Sequence, residues 1–323
     1  MSEISDSGDF NFSDTGEDVF APSGGSEWNA SGGNELAGSG GLETGSPGGT
    51  EIGAEIFSGD GAPFEVSSEK EGREISAQEM VEGFHSQSVA QILEENGKYM
   101  SIEDSNRAAA GVNEIRAVEY NPDHDYIGVY TFLNGRSTIE IASIDPGQME
   151  RTTIHETNHF MSHHREVFVP QPDRNGYTVY STVGVRETSF FLPHETSIPV
   201  EFTSKGEGLN EGLTTMFTNQ QLMEISEEKG LEAERQNIYS HATEICKQLE
   251  GIIGTDTLKE AYYGGDLGKL EQKVDALAGE RGYETLRDCL DRTLEKDWAE
   301  RVVAMKEAQS ILSEMYKNGG IES

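Results

Sequence analysis

The chain has 323 residues, long enough for one or two domains with hydrophobic cores. Its 59 acidic residues stand against 24 basic ones, a net charge of −35, which sets it against nucleic acid and anionic lipid surfaces as partners and weakly favours basic substrates. No run approaches the roughly 18 apolar residues of a membrane span, so no membrane insertion is expected.

From Met1 to Glu69 there is no Lys or Arg, and Gly, Ser, Asp and Glu dominate. Phe10, Phe12, Phe20, Trp28 and Phe57 are scattered there without helical or strand period. Such a segment buries too little apolar surface to offset its ordering entropy, so residues 1–72 are expected to be a disordered acidic tail. The first residues lack the basic-then-apolar pattern of a secretory signal, so the expectation is a cytoplasmic protein or one exported without a cleaved signal. A folded domain is expected over 73–323.

Ser76–Tyr99 carries Met80, Val81, Phe84, Val89, Ile92 and Leu93 at helical spacing. Tyr126–Leu133 and Arg136–Ile144 are β-branched-rich runs joined by Asn134-Gly135, the strongest short signal for a tight hairpin. Arg136–Ile144 is expected to be a free edge able to pair with an extended peptide. Asp145-Pro146-Gly147-Gln148 reads as a capped helix start, and the helix is expected to reach about His164. Residues 175–203 read as β-rich. From Asn210 onward the pattern is helical: Ile238, Ala242, Ile245, Leu249 and Ile252 share one face, and Leu286, Leu290 and Leu294 begin another that continues through Val302, Val303 and Met305. Cys246 and Cys289 fall in helical stretches with no CxxC neighbour, and buried thiols are expected. The order of elements predicts an α+β domain with a helical C-terminal half.

The chemistry is concentrated in His155-Glu156-Thr157-Asn158-His159. Residues four apart on a helix differ by about 40° in angle and about 6 Å along the axis, so both imidazoles can take corners of one metal tetrahedron. Glu156 can then reach a water activated by the metal, the placement of a general base. Three positions compete for the next ligand. A longer motif with Gly and His three and six residues after the second histidine fails on Ser162 and Arg165. His163 shares a helix face with His159, but three residues so spaced spread over about 12 Å. His163 and His164 read better as a polar helix end. Glu211, in the run Asn210-Glu211-Gly212-Leu213-Thr214-Thr215, is also explained by favourable interaction with a helix dipole.

These two motifs resemble the gluzincins, zinc peptidases in which HExxH is completed by a downstream glutamate on a second helix. Asn210–Thr215 is similar to a segment of uncharacterised bacterial zincin-like proteins, as is Glu260-Ala261-Tyr262-Tyr263-Gly264-Gly265-Asp266. The resemblance covers residues 115–270 or so. It implies a zincin-like fold, one Zn²⁺ held by His155, His159 and Glu211, Glu156 as general base, and a peptide or protein substrate. It requires the Glu211 carboxylate to lie within about 3–5 Å of both imidazoles. It also implies an oxyanion-stabilising side chain, for which Tyr263 leads Tyr262, Tyr180 and His194. Where thermolysin-like enzymes orient a histidine ligand through an Asp four residues after the glutamate, this chain has Thr215. Two other readings stand beside the peptidase: an exported effector or toxin-like protease with the tail as its docking or export signal, and a catalytically inactive zincin fold used as a binding module. The intact Glu156 argues against the last.

Overall fold

The computed structural model describes residues 75–122, 126–195, 198–229, 236 and 239–319. The tail expected over 1–72 lies outside the described residues, as does Ile238.

Helix α1 (Ala77–Asn96) begins where Ser76 and Glu79 form a reciprocal capping box, and it buries Val81, His85, Ser88 and Ile92 along one face. A 3₁₀ turn at Gly97–Tyr99 follows. Two elements the pattern did not announce come next, α2 (Ile102–Ala110) and β1 (Glu114–Glu119). In α2 only Asp104 and Ala108 are buried, so there is no apolar stripe to read.

The strands β2 (Gly128–Leu133) and β3 (Arg136–Ser143) form the expected hairpin, with Asn134 and Gly135 at φ 55° and 68°, the left-handed pair of a tight turn. β1 pairs in parallel with the other side of β3, giving the order β1-β3-β2. The expected free edge on Arg136–Ile144 is therefore corrected. β3 is the central strand, because β1 occupies its second side, and the open edge belongs to β2.

Helix α3 (Pro146–Met161) starts on Asp145, whose carboxylate accepts the Gln148 N–H at 2.9 Å. It stops at Met161, short of His164, because the His163 N–H turns away to the Tyr262 carbonyl at 2.8 Å and the chain leaves as β4 (His164–Gln171). With β5 (Gly176–Val183), β6 (Arg186–Pro193) and β7 (Val200–Lys205), β4 builds an antiparallel sheet in sequence order, Pro170 lying on its edge strand.

The rest is helical: α4 (Glu207–Lys229), α5 (Ser240–Ile253), α6 (Thr255–Gly264), α7 (Leu267–Ala278), α8 (Gly282–Arg292) and α9 (Trp298–Asn318). The run from Leu286 to Met305 is two helices, not one: Asp297 caps a fresh start by accepting the Ala299 N–H. Both cysteines are buried and free. The architecture is α+β with a helical C-terminal half. No helix among the described residues is long and apolar enough to cross a membrane.

Two glycines set how closely α4 approaches its neighbours. A Cβ on Gly208 would stand 2.1 Å from the Leu290 carbonyl oxygen, and one on Gly212 would stand 2.7 Å from Cys246 Sγ. These close contacts on α8 and α5 hold α4 against the bundle with Glu211 facing α3.

Candidate metal centre

Thr152 to Met161 of α3 are buried without a break, although seven of the ten are polar. A polar helix reaches the middle of a domain only if its side chains find partners there. The carboxyl end is fixed by Arg107, which donates to the carbonyls of Phe160 and Ser162 and pairs with Asp104 at 3.0 Å. Asp104 also accepts from His163 Nδ1 at 2.8 Å and from the His164 N–H at 3.0 Å. Burial pushes the Asp104 pKa up, but the bonds from His163, Ser101 and Arg107 outweigh it and hold the carboxyl well below its usual range. His163 thus belongs to this clamp. His164 Nδ1 donates to the Ser162 carbonyl and Nε2 accepts from the Tyr130 hydroxyl at 2.7 Å.

His155, His159 and Glu211 come together. Glu211 Oε2 lies 3.2 Å from His155 Nε2 and 3.3 Å from His159 Nε2, inside the 3–5 Å window the ligand geometry requires. The three ligand atoms all fall within 4.8 Å of one another, and the residues are 4%, 6% and 7% exposed. Bonds of about 2.0–2.1 Å in a tetrahedron place neighbouring ligand atoms about 3.3 Å apart. The two nitrogen–oxygen separations match that edge, so the three residues form a donor set that could hold a metal ion. Burial pushes the Glu211 pKa up, yet the two imidazoles overcome it and keep the carboxylate ionised.

The imidazoles are held from behind. His159 Nδ1 is 3.4 Å from Thr214 Oγ1, which donates to the Asn210 carbonyl and meets the Tyr262 hydroxyl at 2.7 Å. With its own proton spent on Asn210, Thr214 accepts from Tyr262, while the nearer neighbour of His159 Nδ1 is the Asn210 amide Nδ2 at 3.3 Å, a donor. A metal at Nε2 needs the Nδ1–H tautomer, whose proton Thr214 alone of the two can accept. The Asn210 amide Oδ1 accepts the Val185 N–H at 3.1 Å. Thr215, one residue on, has a buried hydroxyl with no partner, so the contacts that orient His159 come from Asn210 and Thr214. Behind His155 lies Gln236, held by paired backbone bonds to the Asn219 amide. Burial pushes the His155 pKa down, but Glu211, Glu156 and, least of these, the Gln236 side chain together raise it, while His155 Nδ1 and Gln236 Oε1 are both buried and short of ordinary hydrogen-bond geometry.

Glu156 stands beside the triad, 7% exposed. Ala142 bonds through its N–H to the Ile127 carbonyl, so along β2 the alternate residues Gly128, Tyr130 and Phe132 point their backbone groups outward. The Tyr130 N–H faces Glu156 and draws its pKa down slightly. Burial raises the Glu156 pKa against the pull of the two imidazoles. A Cβ on Gly128 would lie 2.2 Å from Thr152 Cγ2 and 3.0 Å from Glu156 Oε1, so only glycine lets this carboxylate rest on the strand.

The tyrosines and histidine weighed for an oxyanion role go elsewhere. Tyr263 is fully buried, and its hydroxyl donates to Asn158 Oδ1 at 2.9 Å, within the packing of α3 on α6. Tyr262 is engaged with Thr214. Tyr180 is an exposed strand residue, and His194 lies edge-on to Tyr177. The residue that does face the triad is Tyr239, whose ring lies 6.2 Å from that of His155 at 26°. Burial raises its pKa well above the usual phenol value, and the charges of Glu211 and Glu156 add to the shift. It holds φ 57°, a strained conformation for a tyrosine, at the start of α5. Sequence reasoning missed Tyr239 and Gln236 because neither stands in a motif or at a fixed spacing from one. An isolated tyrosine gives no sign of its backbone conformation.

No protein-family model matches the chain, and comparison with curated proteins and with solved structures gives no match.

Proposed function

We propose that the chain is a zinc-dependent peptidase with a zincin-like catalytic domain, its metal held by His155, His159 and Glu211 in the gluzincin manner. The observation that carries the reading is the pair of 3.2 and 3.3 Å separations joining one Glu211 oxygen to both HExxH imidazoles, with Glu156 buried beside them. Two histidines and one carboxylate are a zinc donor set that leaves the fourth position open. Bound zinc would supply Lewis-acid activation of a water molecule.

The chain's own residues do the rest. Glu156, its pKa raised by burial, takes a proton from the attacking water and delivers it to the leaving amine. The Tyr239 hydroxyl, which has no hydrogen-bond partner among the described residues, donates to the developing oxyanion. The outward backbone groups of Gly128 and Phe132 on the open edge of β2 pair with an extended peptide and align its scissile bond.

The test separates the two carboxylates. Glu156→Gln should keep about one zinc per chain and lose on the order of a hundredfold to ten-thousandfold in casein or peptide hydrolysis. Glu211→Ala should lose zinc and activity together. Full zinc content in Glu211→Ala, or an undiminished rate in Glu156→Gln, ends the reading.

A further inference from the structure

Arg186 opens β6 immediately after the Gly184-Val185 turn. Across the sheet His164 faces Val183, and Val183 faces Arg186, so the three form one row on one face. His164 in that row accepts the Tyr130 hydroxyl, and the Tyr130 ring lies parallel to His159 with centroids 6.4 Å apart. Arg186 is therefore on the sheet face turned towards the metal centre.

Its charge is felt there from three sides. Burial raises the pKa of Tyr130 beside His159, of Tyr239 beside His155 and of Glu207 one turn before Glu211, and in each Arg186 opposes that rise with its positive charge. Yet it has no hydrogen bond or ion pair among the described residues, and its Nε is buried without a partner. Of the other arginines with a buried Nε, Arg107 pairs with Asp104, Arg287 with Glu187, and Arg301 lies over the Trp298 ring, so each has a partner for its charge. In a chain with 59 acidic residues to 24 basic ones, an unpaired guanidinium at the metal centre stands out.

A half-buried guanidinium without a partner has lost hydration and recovered nothing. A carboxylate restores it through two parallel charge-assisted bonds, for which the planar fork is shaped and a lysine ammonium is not. We infer that Arg186 binds a substrate carboxylate beside the metal centre, so that the site takes peptides bearing a carboxylate close to the bond presented to the metal. The carboxylate comes from a free carboxy terminus or an acidic side chain. The inference takes the substrate's peptide nature from the proposed function; the carboxylate recognition itself does not depend on turnover.

The experiment measures binding, using the full-length Glu156→Gln chain loaded with zinc, by calorimetry. The probes are four acetylated alanine–phenylalanine tetrapeptides, ending in a carboxylate or an amide and carrying an internal glutamate or glutamine. The peptide with the favoured carboxylate should bind about tenfold to a hundredfold more tightly than its uncharged counterpart. Comparing the two series tells a terminal carboxylate from a side-chain one. Adding Arg186→Gln should remove the preference, and Arg186→Lys should restore only part of it, in proteins that keep the parent's cooperative unfolding. Equal affinities across the four peptides, a preference that survives Arg186→Gln, or no binding of any peptide each overturns the inference. Wild-type turnover separates this from the peptidase reading. A carboxylate preference with no cleavage of any peptide sinks the peptidase alone, and cleavage with the same KM for all four sinks the Arg186 role alone.

Discussion

Helices α3 and α9 are both long, and they are buried in opposite ways. In α9 only Ala304, Ala308, Leu312 and Met315 are buried, three or four residues apart, and the remaining faces meet water. In α3 every residue from Thr152 to Met161 is buried, and the run includes Thr, His, Glu and Asn. The first is a helix laid on a surface, which an apolar stripe suffices to hold. The second is enclosed by α1, the hairpin and α4, so its polar atoms, Thr153 Oγ1 and His155 Nδ1 excepted, are held by named partners rather than by water. A polar helix at the centre of a fold is expensive to stabilise, and here that enclosure is what fixes two imidazoles and two carboxylates in one place.

The largest test of this contrast is Asn158. Its amide donates to the Ile154 carbonyl and to Gln221 Oε1 at 2.8 Å, and its Oδ1 accepts from Tyr263. Asn158→Ala strands the Tyr263 hydroxyl and the Gln221 oxygen in the interior and should cost about 3–4 kcal/mol in urea unfolding. Tyr263→Phe should cost about 1 kcal/mol, and the double variant less than the sum, because both remove the same bond. Strict additivity would show that the helix is not held through this contact. A fall in kcat of Tyr263→Phe beyond a few-fold would return that tyrosine to the catalytic role the resemblance implied.

A smaller effect appears with pH. His85 Nδ1 donates to Thr157 Oγ1 at 2.9 Å, and burial lowers its pKa to about 4. In the unfolded chain the imidazole titrates near 6.5, so the neutral form is favoured by folding. Its contribution is whole above about pH 6.5 and is lost as pH falls towards 4, where the unfolded chain binds a proton the folded one refuses. The loss should approach about 2–3 kcal/mol. Urea midpoints of wild type and His85→Gln at pH 7 and pH 4.5 measure it, and parallel slopes in the two proteins would refute it.

The same contrast explains what was legible in the sequence. The hairpin was readable because Asn134-Gly135 specifies its turn locally, and the start of α3 because Asp145 and Pro146 specify a cap. His155, Glu156 and His159 were readable because their spacing on one helix is their geometry. Glu211 needed a resemblance, since no local rule brings a second helix to the first. β1 was missed, and with it the correct edge strand: Glu114–Glu119 is half-exposed and pairs with β3 in a parallel register set by tertiary contacts. The end of α3 was misplaced because the clamp of Arg107 and Asp104 that closes it comes from α2, which has no apolar period. Arg186 and Tyr239 carry no signal, as only the folded chain shows that one is unpaired and the other lies against His155.

The smallest predicted effect lies on the water-facing side of α9. Val303 is 45% exposed, and its neighbour Ala304 is fully buried. Val303→Ser removes little buried surface and exchanges two residues of nearly equal helix propensity, so stability should change by less than about 0.5 kcal/mol. Ala304→Leu, one residue further on, forces three extra carbons into a filled interface and should cost about 1–3 kcal/mol. Such alternation belongs to a helix with one buried face, and α3 between Thr152 and Met161 should show none of it. A cost above about 1.5 kcal/mol for Val303→Ser would mean that this side of α9 is covered as well, and the contrast between the two helices would fail at the end where it is simplest.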